Sequence, residues 1–110
     1  MATEQNIVIT KGSTGTIVVT VTGVSSWTGL LAKLFASDVR GNAPVITLTG
    51  VIDGANNKIT FTYAYSDTAS LTKSPLHYDV IIYKTDKSYI KTTNYGLLGL
   101  ATPVKLDPTT

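Results

Sequence analysis

The sequence predicts an all-β domain, an immunoglobulin-like antiparallel β-sandwich of about seven strands. Three observations carry this. Thr, Val and Ile make up 38 of the 110 residues, and β-branched side chains, stiff at χ1, pack best on a pleated surface. Short runs alternating with period 2 recur between clusters of Gly, Asn, Asp and Ser, with no long helical pattern between them. The length, with 43% hydrophobic and 15% charged residues, suits one domain with a real core and not a disordered chain. Cysteine is absent, which removes disulfide staples, thiolate metal sites and thiol catalysis together and leaves the fold to packing alone.

The elements follow in order. Asn6 to Thr10 makes a first short strand, ended by the Lys11-Gly12-Ser13-Thr14-Gly15 turn. In Thr16 to Thr22, Ile17, Val19 and Val21 share the inner face and Thr16, Val18, Thr20 and Thr22 the outer one, with Val18 its one apolar member. Leu30 to Ser37 is too short to assign by period. Loops flank it and strands neighbour it, so it reads as a strand with Leu30, Ala32 and Leu34 on one face and Leu31, Lys33 and Phe35 on the other. Val45 to Thr49 alternates again, and Asp53 to Asn57 turns the chain into Lys58 to Tyr65, where Ile59, Phe61, Tyr63 and Tyr65 point inward. Ser66 to Leu71 carries Ser and Asp where an N-cap belongs, predicting one helical turn before Pro75. Leu76 to Thr85 is a long strand with Tyr78, Val80 and Ile82 inward, and a hairpin at Thr85 to Ser88 leads into Tyr89 to Thr93. The sandwich is expected to occupy residues 1–101, with 102–110 a C-terminal arm.

Composition narrows the function. A net charge of +2, with lysines scattered singly, gives no basic stripe to follow a phosphate backbone, so nucleic acid is not an expected partner. No apolar run nears the ~18 residues that cross a bilayer, and the first residues carry no basic-then-apolar leader, so no membrane is expected and synthesis is placed in a cytoplasm. His77 is the sole histidine and no G-x-S-x-G elbow exists. His77 and Asp79, two apart on one strand face, therefore read as a solvated pair and not a catalytic dyad, and no enzyme is expected. Asp53 with Asn56 and Asn57 offers oxygens but not the repeated acidic positions of a calcium loop, so neither metal nor other cofactor is expected.

The outward faces carry the positive signal. Ile81, Tyr83 and Tyr89 are large apolar groups on the side of the long strand and its hairpin partner that should be wet, beside His77, Asp79 and Lys91. Either the C-terminal arm covers them or they form a protein contact surface. Trp27 sits in the Gly23 to Gly29 loop, where it plugs one end of the sandwich or, exposed, contacts a protein or stacks on a sugar. Ile81, Tyr83, Tyr89 and Trp27 are thus the candidate interface. A carbohydrate-binding module using Trp27 and Tyr95 is the alternative.

Several motifs in order also carry a resemblance: the opening strand followed by Lys11-Gly12-Ser13-Thr14, Trp27-Thr28-Gly29 before the third strand, Asp67-Thr68-Ala69 before the sixth, and His77-Tyr78-Asp79-Val80-Ile81-Ile82 within it. Over residues 6 to 101 the chain resembles the N-terminal immunoglobulin-like domain of phage baseplate upper proteins and related virion proteins. The resemblance implies a non-enzymatic virion component whose partners are other capsid, tail or baseplate proteins, with a homo-oligomer also possible. A sequence ending at Thr110, without the long part that follows such a domain in baseplate proteins, looks like a small capsid auxiliary or decoration protein, or a tail or baseplate adaptor.

Overall fold

Eight strands form along residues 2–103, the part of the chain that the computed structural model describes. They are β1 Thr3–Glu4, β2 Ile7–Thr10, β3 Gly15–Thr20, β4 Leu31–Ser37, β5 Ile46–Asp53, β6 Lys58–Tyr63, β7 Leu76–Tyr83 and β8 Ile90–Ala101, with a 3-10 turn at Gly54–Asn56 and a one-turn helix, α1, at Tyr65–Thr68. The expected strand Leu30 to Ser37 is strand from Leu31. The expected arm, 102–110, lies outside the described residues from position 104 onward.

The strands form two layers around one core. β8, β7, β4 and the first half of β5 make one layer, with β1 and β2 along the far edge of β8; the second half of β5 with β6 and β3 makes the other. β5 serves both, because Ile46–Thr49 pair with β4 and Gly50–Asp53 pair with β6. A Cβ at Gly50 would lie 2.6 Å from Ile59 Cγ2 and 2.8 Å from Phe61 Cε1, so the crossing needs a residue without a side chain. Alternation holds across both layers: Ile17, Val19, Ala32, Leu34, Ile59, Phe61, Val80 and Ile82 are all buried. This is the immunoglobulin-like sandwich that the strand spacing predicts.

It is not antiparallel throughout. β1 and β2 run parallel to β8, with Thr3 opposite Asn94 and Ile7 to Thr10 opposite Leu98 to Ala101. Parallel neighbours cannot be joined by a tight hairpin, so this pairing leaves no local turn signal. The junction between β1 and β2 is clamped onto β8. Gln5 N–H donates to the Tyr95 carbonyl at 2.8 Å, Leu97 N–H donates to Asn6 Oδ1 at 3.0 Å, and the Tyr78 hydroxyl donates to the Gln5 carbonyl. Gly96 has φ 155°, and a Cβ there would overlap the Gln5 carbonyl. Tyr78, 1% exposed, has its phenol pushed up to about 12 by burial and, less, by the Asp79 carboxylate.

One inner-face assignment changes. Tyr65 begins α1 and is exposed, because β6 ends at Tyr63. Ala64 occupies the N-cap position, and Asp67, three residues on, accepts its N–H at 2.6 Å, so the acidic residue acts from inside the turn. In β8 the alternation itself breaks. Val80 faces Asn94 while Ile81 faces Thr92, so Thr93 is a bulged extra residue and both Thr93 and Asn94 are buried. Asn94 Nδ2 reaches across the layers to donate to the Thr20 carbonyl at 3.3 Å.

Gly96→Ala is expected to destabilise by about 2 kcal/mol or more through backbone clash, read as a lowered urea midpoint with an unchanged slope. For Tyr78, the folded phenol stays protonated near 12 while the unfolded one ionises from 10.0. Stability is then complete below pH 10 and falls as pH rises toward 12, by up to about 3 kcal/mol. Tyr78→Phe is expected to flatten that alkaline fall in urea titrations, and to cost about 1 kcal/mol at neutral pH for the lost hydrogen bond.

Candidate protein-docking face

The outer face of β4, β7 and β8 gathers side chains in cross-strand rows. Register places Leu31, Tyr83 and Ile90 in one row, Lys33, Ile81 and Thr92 in the next, and Phe35, Asp79 and Tyr95 in a third. Each strand contributes because its inward residues, such as Leu34, Val80 and Ile82, are buried, which turns their neighbours outward. Leu31 and Ile90 are exposed, and Phe35, Ile81 and Tyr83 are half-buried against one another's strands.

Between them runs a groove of about 400 Å³, lined by Lys33, Phe35, Ile81, Tyr83, Lys84, Thr85, Lys87 and Ile90. Phe35, Ile81, Tyr83 and Ile90 give it an apolar lining, Lys33, Lys84 and Lys87 add three ammonium groups, and no carboxylate lines it. At the other end of the face the character is polar. Arg40 Nη1 binds Asp79 Oδ1 at 2.8 Å, and its guanidinium carbon stands 5.9 Å from the Tyr95 ring centroid. That pairing occupies Asp79, whose nearest charged partner is Arg40 and not His77.

Of the four interface candidates, the structure brings Ile81 and Tyr83 together on this face and separates the other two. Tyr89 is half-buried against the core. Lys84 N–H bonds to the Tyr89 carbonyl at 2.9 Å across the hairpin, so Ile90 comes opposite Tyr83 and takes the outward place expected for Tyr89. The turn is held by Asp86, whose Oδ1 accepts the Ser88 N–H and hydroxyl, bonds that also lower its carboxyl from the ordinary value. Ile90 was therefore legible from loop length once Lys84 and Tyr89 are paired across four residues. Phe35 was legible from alternation, although nothing in the sequence marks it as adjacent to Ile81.

Trp27 lies elsewhere. It is half-buried against the core, its indole N–H donates to Asn57 Oδ1 at 3.2 Å, and a Cβ on Gly54 would sit 2.9 Å from its Cδ1. The ring is wedged over the 3-10 turn as a plug. Asp53, in the same turn, accepts from Asn56 Nδ2 at 2.8 Å, so these oxygens serve the loop's own geometry. Among the described residues, no three His, Asp or Glu side chains cluster in metal-binding geometry. No helix among them is long and apolar enough to cross a membrane.

The geometry has a counterpart among solved structures. The chain is similar to the natural killer cell receptor NKp44, "a triggering partner in natural cytotoxicity", with 15% identity and a TM-score of 0.55 over 92% of this chain and 99% of that one. The fold is immunoglobulin-like. At that identity the likeness speaks to architecture alone. No protein-family profile and no curated protein matches the chain.

Gly54→Ala is expected to push the lone indole off its seat, giving a red-shifted emission and stronger acrylamide quenching than the parent protein at equal folded fraction.

Proposed function

We propose that the protein is a non-enzymatic virion structural component, a capsid auxiliary or decoration protein or a small tail or baseplate adaptor, that docks on other virion proteins. The observation that carries the docking reading is the apolar, lysine-bearing groove on the outer face of β4, β7 and β8. Phe35, Ile81, Tyr83 and Ile90 stand there together on one sheet face. Large apolar and aromatic anchors in a shallow depression, with charge held to the rim, are the usual anatomy of a protein contact. The virion setting is supported by the ordered motifs at Lys11 to Thr14, Trp27 to Gly29, Asp67 to Ala69 and His77 to Ile82.

Adhesion by buried area needs no turnover, and rigidity serves it. The groove's apolar side chains, Phe35, Ile81, Tyr83 and Ile90, project from three adjacent strands whose opposite faces are locked in the core, so their positions are set before any partner arrives.

Tyr83→Ala combined with Ile90→Ala is expected to lower incorporation into purified particles at least tenfold, read by quantitative mass spectrometry. Both side chains are outside the core, so the thermal midpoint should barely move. Unchanged incorporation by a folded double variant would refute the groove as the docking site. Tyr89→Ala should instead destabilise the fold.

A further inference from the structure

β3 is the edge of its layer, since among the described residues only β6 pairs with it. Val21 N–H bonds to the Asn57 carbonyl at 2.8 Å on the β6 side. By alternation Thr16, Val18 and Thr20 therefore aim their backbone groups away from β6. The Thr20 carbonyl receives Asn94 Nδ2; among the described residues the N–H and carbonyl of Thr16 and Val18 and the N–H of Thr20 have no partner. Open edges are commonly blunted by a charge, a proline or a bulge. Gly15–Thr20 holds no charged residue and no proline, and its register with β6 is unbroken.

We infer that this edge pairs with the same edge of a second copy, antiparallel about a two-fold axis at Val18. The segment Thr16-Ile17-Val18-Val19-Thr20 is close to palindromic in side-chain type. The axis sets Thr16 against Thr20 of the second copy, Ile17 against Val19, and Val18 against Val18, so buried residues meet buried ones and exposed meet exposed. The N–H and carbonyl of Thr16 and Val18 and the N–H of Thr20 are open groups that a two-fold pairing joins, and the Thr20 carbonyl accepts from Thr16 of the second copy with the lone pair that Asn94 leaves free.

The outer side of the layer agrees. Val51, 72% exposed, lies beside Thr60, which lies beside Val18, 48% exposed. Pairing continues this row through Val18, Thr60 and Val51 of the second copy. Charge is compatible, because the neighbouring row Asp53, Lys58, Thr20 meets Thr16 and Thr62 of the second copy and brings no like charges together. A single strand pair falls short of the ~1,200 Å² that stable complexes bury, so the dimer is a weak one that forms at high local concentration.

The chain's lack of cysteine makes the register testable directly. Hydrogen-bonded antiparallel pairs hold Cα atoms about 5.5 Å apart, within disulfide range, whereas Thr16 and Thr16 of the second copy lie roughly 13 Å apart. Mild oxidation is expected to convert Val18→Cys largely to a covalent dimer. Thr16→Cys or Thr20→Cys alone should stay monomeric, and their mixture should give the crossed dimer. Sedimentation of the unmodified chain should show concentration-dependent dimer, with Val18→Lys weakening it at least tenfold at unchanged circular dichroism. A monomer at every concentration, equal dimerisation by Val18→Lys, or cross-linking of Thr16→Cys with itself as readily as Val18→Cys would overturn the proposal. The first of these would leave the edge to a strand from another protein.

Discussion

Both layers depend on one strand that belongs to each. β5 pairs with β4 through Thr49 and with β6 from Gly50 onward, so the sandwich is a single curled ribbon of hydrogen bonds and not two sheets stapled face to face. Without cysteine, nothing covalent ties the layers. They are held by apolar side chains from both sides, Ile17, Val19, Ile59 and Phe61 against Leu34, Val80, Ile82 and Leu98, burial being the dominant favourable term in folding. At the other end, the parallel pairing of β1 and β2 with β8 extends that layer and is clamped by Tyr78 on the Gln5 carbonyl and by the missing side chain of Gly96.

The same β8 also shapes the outer face of β4, β7 and β8. β8 is long because it carries both the hairpin to β7 and the parallel strands, and its bulge at Thr93 keeps the two jobs in phase. Before the bulge Ile90 and Thr92 face outward beside Tyr83 and Ile81; after it Tyr95 and Leu97 do, while Asn94, Leu98 and Leu100 turn into the core. One inserted residue thus lets an apolar groove and a polar Arg40–Asp79–Tyr95 end share a single sheet face. The groove lies where the strand order is most constrained, with Phe35, Ile81, Tyr83 and Ile90 held on three neighbouring strands.

Much of this was legible one strand at a time. In β3, β6 and β7 the inward positions are apolar on alternate residues, and period 2 admits only two assignments of faces. Exceptions occur where a rule other than alternation takes over. Tyr65 leaves the inner set because helix α1 begins there. Tyr89 leaves the outer set because hairpin pairing joins Lys84 to it and hands Tyr83 to Ile90. Of the candidate interface, Ile81 and Tyr83 could be read from alternation alone, and Trp27 joined them only for want of knowing that Gly54 and Asn57 form its seat.

The sequence by itself determined the all-β class, the inward face of nearly every strand and the unusual apolar character of Ile81 and Tyr83 on an outer face. These are local properties, written in residue type and spacing. Tertiary structure alone decided that the first strands run parallel to the last, that β5 crosses between layers, that Phe35, Lys33, Lys84 and Lys87 complete the groove, and that the β3 edge stays open among the described residues. Each of those depends on which strands, distant in sequence, come to lie side by side. Side-chain alternation specifies a face but carries no information about the neighbour across it.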